Sequence, residues 1–143
     1  MNIDGTYNAK GIETMLSVLA LEKLKFNANY TFTEVEEPLQ RLIPKHKVNI
    51  SIDYDYSEKA SFNLAYQYVD KRKDVFFDGG TYLTTPVILD TYQLVNAIGN
   101  FKIIKNRLNV FATVNNIFNA DFTENIGYST RGRNFKIGLN VMF

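Results

Sequence analysis

The chain has 143 residues, Lys and Arg 16 against Asp and Glu 15 for a net charge of +1, no Cys, no Trp and a single His. That length allows one ordinary domain and excludes a large multidomain enzyme. The missing cysteines exclude a disulfide scaffold, a zinc ribbon and a thiol nucleophile, and the balanced charge argues against a nucleic-acid partner.

Apolar residues make up 45% of the sequence, which excludes a disordered tail, and 11 Phe, 9 Tyr and 16 Asn suit strands facing both an apolar and a wet medium. The opening Met1-Asn2-Ile3-Asp4-Gly5 has neither a basic nor an apolar region, so no signal peptide is expected there. No apolar run approaches the ~20 residues of a membrane helix; the longest, Met15 to Leu21, is broken by Ser17.

In chain order, Ile12 to Ala20 is apolar on both faces and its state is ambiguous. From Leu24 to Phe32, Leu24, Phe26, Ala28, Tyr30 and Phe32 alternate with Lys25, Asn27, Asn29 and Thr31. Lys47 to Tyr56 sets Val48, Ile50, Ile52, Tyr54 and Tyr56 against Lys47, Asn49, Ser51, Asp53 and Asp55, and from Ser61 the apolar set is Phe62, Leu64, Tyr66 and Tyr68. Asp90 to Ile104 alternates loosely, Leu108 to Asn116 more clearly, and the last strand places Phe135, Ile137, Leu139, Val141 and Phe143 on one side. Successive side chains of a strand point to opposite faces, so these segments predict seven strands, each with an apolar and a polar face.

The connections alternate in length. Leu21-Glu22-Lys23, Ser57-Glu58-Lys59 and Lys105-Asn106 read as tight turns; Val35 to His46, Arg72 to Leu89 and Ala120 to Gly132 read as long loops. Outer-membrane barrels have short turns at one end and long loops at the other. The expected architecture is an all-β antiparallel meander forming part of a transmembrane barrel. Lys25, Lys47, Asp53, Asp55, Asn63, Gln67, Lys102 and Lys136 on the polar faces, and Tyr30, Tyr54, Tyr56, Tyr66 and Tyr68 near strand ends, place lipid on the apolar side. A soluble barrel carrying an apolar ligand has the same period turned inside out. Seven strands cannot close a single-chain bacterial barrel, because an open edge in lipid leaves backbone groups unpaired. Either an eighth strand lies in Met1 to Lys10, giving a small complete adhesin or structural protein, or the chain is part of a larger barrel.

The final segment Gly132 to Phe143, GRNFKIGLNVMF, resembles the last strand of TonB-dependent outer-membrane receptors. Val114 to Phe135 is similar to that family's penultimate strand and the corner and loop after it, Leu42 to Tyr54 to a Pro-x-His-Lys entry into a strand, and Lys10 to Leu19 to a Lys-Gly-x-Glu strand opening, all in the family's order. The resemblance implies that residues 1–143 are the carboxyl-terminal part of a barrel of about twenty-two strands without its plug domain. It further implies a Gram-negative outer-membrane importer of siderophores, cobalamin or similar nutrients rather than an enzyme, with no cofactor. The implied partners are membrane lipid, the barrel-assembly machinery, the remaining strands and plug and, through that plug only, the TonB complex. Lys136, Gly138, Val141 and Phe143 fit the family's assembly signal.

Other chemistry reads weakly. His46 in Pro-Lys-His-Lys is expected to be solvated, Asp53 and Asp55 to pair with lysines or contact the plug, and Glu34, Glu36 and Glu37 match no calcium loop. The candidate ligand-covering residues are Phe76, Phe77, Asp78 and Tyr82 around the Gly79-Gly80 hinge, and Phe122, Tyr128 and Arg131 in the last loop. Arg131 and Arg133 are additionally suited to an anionic ligand or lipid phosphate.

Overall fold

The computed structural model describes residues 6–37 and 39–142. Nine strands appear in it: β1 (Ala9–Ala20), β2 (Leu24–Val35), β3 (His46–Tyr54), β4 (Ala60–Val69), β5 (Arg72–Asp78), β6 (Leu83–Leu89), β7 (Tyr92–Ile104), β8 (Leu108–Asn115) and β9 (Asn134–Val141). Seven of them form one antiparallel sheet in the order β1-β2-β3-β4-β7-β8-β9, and β5 and β6 form a separate hairpin. The seven predicted strands are therefore the seven of the sheet. The ambiguous first segment is β1, paired along its whole length with β2. Of Met1 to Lys10, the stretch offered for an eighth strand, residues 1–5 lie outside the described residues, 6–8 are not strand, and 9–10 open β1.

Register carries the alternation from strand to strand. Residues directly opposite in an antiparallel pair share a face. One row runs Val18, Phe26, Ile52, Leu64, Ala97, Val114, Phe135, each paired with the next. The next row on the opposite face runs Leu19, Lys25, Asp53, Asn63, Ile98, Thr113, Lys136. No second layer covers the apolar rows: Leu16 is 54%, Leu64 45% and Ile137 78% exposed. An interlocked dry core, which a soluble carrier needs, is absent among the described residues. These exposed apolar rows are instead what a bilayer would cover.

The polar face is tied together by amides. Ser17 Oγ donates to Asn27 Oδ1 at 2.9 Å, Asn27 Nδ2 donates to Ser51 Oγ and to Asp53 Oδ2 at 3.2 Å each, and Asn63 Nδ2 donates to Asp53 Oδ1 at 2.7 Å. A parallel row links Glu13, Asn29, Asn49 and Gln67 at 3.2–3.5 Å. Both rows cross four strands. Asp53 thus takes its hydrogen bonds from asparagines rather than from the lysines expected for it, and Asp55 lies beyond the end of β3.

The short connections meet their geometry with left-handed residues. Leu21 and Glu22 have φ of 55° and 54°, which suits the twist of a tight hairpin, and Asn106 has φ 59°. Alternation of short and long connections puts β2–β3, β4–β7 and β8–β9 links at one end of the sheet. The link between β4 and β7 is a correction to the sequence reading: Arg72 to Leu89 is a paired hairpin, Arg72 opposite Leu89 through Asp78 opposite Leu83, not an irregular loop.

Candidate functional site

The small core of the molecule lies where the three long connections meet. Val35, Val69, Leu89 and Tyr92, from four different strands, are its buried apolar residues. Arg72 and Asp74 are buried with them at 7% and 3% exposure. Both lie on one face of β5 because they are two apart.

Asp74 gathers donors from three segments. Its Oδ1 accepts from Arg41 Nε and from the Val75 amide at 2.7 and 2.8 Å, and its Oδ2 from the Ile126 amide at 3.3 Å. Burial alone would push its carboxyl up; the Arg41 guanidinium and the two amides together outweigh that and hold it below the usual aspartate value. Arg72 reaches the last connection: Nη2 donates to Thr123 O at 2.7 Å and Nη1 to Glu124 O at 3.4 Å, while the guanidinium lies 5.1 Å from the centre of the Tyr92 ring. Its buried Nε has no hydrogen-bond partner. Tyr92 donates its hydroxyl to Glu124 Oε1 at 3.3 Å and packs against Phe122, ring centres 4.7 Å apart. The first connection is fixed to β5 as well, by the Leu42 amide on Lys73 O at 2.8 Å, a parallel bridge between Arg41 and Lys73, and a Lys73–Glu37 ion pair.

Asn116 starts the last connection. With φ 51°, it grips Ala120 through both amide atoms at 2.8 Å, and its own N–H donates to Asn96 Oδ1 at 2.9 Å. A groove of about 290 Å³ opens beside the junction, lined by Gln40, Ile43, Lys45, Lys71 and Arg72 among others. A second, of about 450 Å³, follows the polar face past Asn27, Asn49 and Gln67.

The candidates from sequence separate into three groups. Phe122 is part of the packed junction. Phe77 and Tyr82 meet edge to face at 6.4 Å on the hairpin tip, where Phe76 is also exposed. Tyr128 and Arg131 are exposed elsewhere, and among the described residues no hydrogen bond, ion pair or ring contact joins them to the tip. Gly79-Gly80 is a capped turn rather than a hinge: Asp78 accepts from the Gly80 amide at 2.8 Å and from Thr81 Oγ1 at 2.9 Å. Those bonds, the Gly80 amide first, hold the Asp78 carboxyl below its usual value. His46 is not simply solvated: its Nδ1 is 2.9 Å from the Tyr30 hydroxyl and its ring stacks on Tyr30. Glu34 pairs with Lys10 and Lys45, Glu36 with Asn8. Arg133 Nη1 donates to the Ile117 carbonyl at 3.4 Å, and its side chain is otherwise exposed. No group of three His, Cys, Asp or Glu among the described residues is placed to hold a metal.

Lys136, Gly138 and Val141 all lie on β9, one of the sheet's two edge strands; Phe143 is outside the described residues. Lys136 faces Thr113 on the polar side and Val141 faces Leu108 on the apolar side. Gly138 lies opposite Phe111, whose ring fills the space where a Cβ would stand: the added atom would come within 2.3 Å of Phe111 Cζ.

Sequence reasoning missed Arg72, Asp74 and Asn116. The first two had a usable signal, opposite charges at alternate positions directly after a strand; Asn116 had the pair Asn116 and Asn119, both left-handed in the structure.

A family model described as TonB dependent receptor-like, beta-barrel, matches residues 1–117. Among solved structures, the chain is similar to P. aeruginosa FpvA bound to heterologous pyoverdines, with 17% identity and a TM-score of 0.77 over 92% of this chain and 19% of FpvA. It is similar to the siderophore receptor PirA from Acinetobacter baumannii, with 18% identity and a TM-score of 0.77 over 94% of this chain and 22% of PirA. It also resembles the closed form of the ferric-catecholate import receptor Fiu from E. coli K12, with 20% identity and a TM-score of 0.75 over 99% of this chain and 23% of Fiu. The chain therefore spans about a fifth of the length of these receptors. Membrane-facing strands, an amide-lined inner face and a joined set of long connections accordingly describe a piece of wall, and the chain belongs to the TonB-dependent receptor-like β-barrel family of the Gram-negative outer membrane.

Proposed function

We propose that this chain supplies the carboxyl-terminal wall, three outer connections and closing strand of a TonB-dependent siderophore importer. The observation that carries the reading is the unbroken register of apolar and amide rows across seven strands, which builds a wall and leaves both of its edges, β1 and β9, to be paired by other strands. Residues 1–143 are then one segment of a larger barrel, and the plug that couples to TonB is supplied by the rest of the receptor. FpvA, PirA and Fiu, the structures it resembles, are described as receptors for pyoverdine, for a siderophore and for ferric catecholates, which favours a siderophore over cobalamin. The exposed Phe76, Phe77, Tyr82, Tyr128 and Arg131 are the residues offered to such a ligand, with Phe122 and Asp78 holding their supports in place.

The test is iron-limited growth of a strain whose only siderophore receptor is the one carrying this segment, supplied with a panel of ferric siderophores. Growth on at least one, abolished by loss of TonB, is expected; growth on none sinks the importer reading. The assembly role of Lys136, Gly138, Val141 and Phe143 has its own check. Removing Phe143 should lower the amount of receptor in the outer membrane, and unchanged levels would remove the residue from that role.

A further inference from the structure

We propose that the three long connections open and close as one cooperative unit pinned on β5, rather than as independent loops. Arg72 and Asp74 carry the argument. They are opposite charges on the same face of one short strand, each more than nine-tenths buried, and each is satisfied by a different part of the chain. Asp74 holds Arg41 in the first connection and the Ile126 amide in the last. Arg72 holds the carbonyls of Thr123 and Glu124. The hairpin itself is the middle connection.

A buried charge tolerates low dielectric surroundings only while its partners stay in place, and removing one partner leaves the other uncompensated. Lifting the last connection strips Arg72 of every hydrogen bond the structure gives its guanidinium, since Nε has none already, and strips Asp74 of one. Lifting the first strips Asp74 of its cation. Partly opened states therefore leave a charged group short of its hydrogen bonds or, for Asp74, of its cation, which the fully joined and fully solvated states avoid, and that is the condition for all-or-none opening. The buried Val35, Val69, Leu89 and Tyr92 beneath make the same demand, because uncovering one side wets the others. A ligand that displaces one connection would thus displace all three. The coupling rests on the proposed receptor reading only for the direction in which the connections point.

Hydrogen exchange on the intact receptor, without ligand, tests it. Peptides covering residues 39–45, 72–89 and 117–133 should share one opening equilibrium. Asp74→Asn should raise exchange in both 39–45 and 117–133 by about tenfold, the scale of a lost charge-assisted hydrogen bond, although the residue lies in neither. Arg41→Gln, which removes the cation of Asp74 from a side chain that is itself 60% exposed, serves where Asp74→Asn fails to assemble, and its expected effect is faster exchange in 117–133, with which the Arg41 side chain shares no hydrogen bond or ion pair. Tyr128→Ala should leave 39–45 unchanged. Faster exchange confined to the connection that carries the substitution overturns the proposal. A receptor that exchanges cooperatively yet takes up no siderophore would overturn the importer reading alone.

Discussion

Gly138 stands where a side chain would collide with the Phe111 ring, and that ring also lies 5.6 Å below the Lys136 ammonium. An aromatic side chain folded over a strand glycine shields backbone and fixes register. Gly138→Ala should therefore push the Phe111 ring aside at a cost of about 0.5–1.5 kcal/mol, the scale of a side chain forced off its rotamer, read as a lowered urea midpoint. Phe111→Leu in the same chain should restore part of the loss; strictly additive losses would mean that ring and glycine are not coupled. Asn116 works by hydrogen bonding instead. Asn116→Ala removes both bonds to Ala120 and places a side chain less tolerant of positive φ at 51°. Protease cleavage within 117–133 should accelerate, with a stability loss of about 1–3 kcal/mol. Neither role was visible beforehand in full: Gly138 was marked by its place in the terminal strand, but nothing in the sequence says that Phe111, an aromatic in a polar row, lies across from it.

At the level of the elements, β5 and β6 explain why alternation failed between Arg72 and Leu89. Arg72, Asp74 and Phe76 share one face and Lys73, Val75 and Phe77 the other, so neither face is uniformly apolar or polar. A strand that borders lipid must segregate its side chains; one packed between connections, with buried charges on its inner face, need not. The sheet strands obey the first condition and were legible, β1 less so because Met15 and Leu19 join Ser17 on its polar side. Asp74 gives the junction an acid limit. Its lowered native value means that its stabilising share is complete above the ordinary aspartate value of about 3.9 and disappears as pH falls below that through the depressed native value. The other charged groups of the junction are Arg41, Arg72, Lys73, Glu37 and Glu124. Exchange in 117–133, corrected for its intrinsic pH dependence, should rise on acidification through this window, and Asp74→Asn should remove the acid limb.

For the molecule as a whole, orientation is the decisive property. Ile137 lies opposite Ala112 in the middle of β9 on the apolar face, and Thr113 lies on the other face one residue along β8. Ile137→Arg should cost about 2–4 kcal/mol of folded receptor in the bilayer and reduce the heat-modifiable folded band on a gel. Thr113→Arg, directed to the aqueous side, should leave that band nearly unchanged; equal losses would reverse the assignment of faces. Much of this level was legible because a bilayer imposes a strict period of two over strands of 8–13 residues. The junction was not, because it is assembled from residues 41, 72–74, 92 and 116–126, which only the folded topology brings together.

That topology also bears on how such a wall is made. Among the described strands of the sheet, each from β1 to β8 except β4 pairs with its immediate successor along the chain, and the gap between β4 and β7 is filled by a hairpin that closes on itself. Ring closures of this kind span few residues, so each costs little entropy, and only the edges β1 and β9 wait for strands from elsewhere in the barrel. Growth of the sheet is then a zipper advancing from one hairpin to the next.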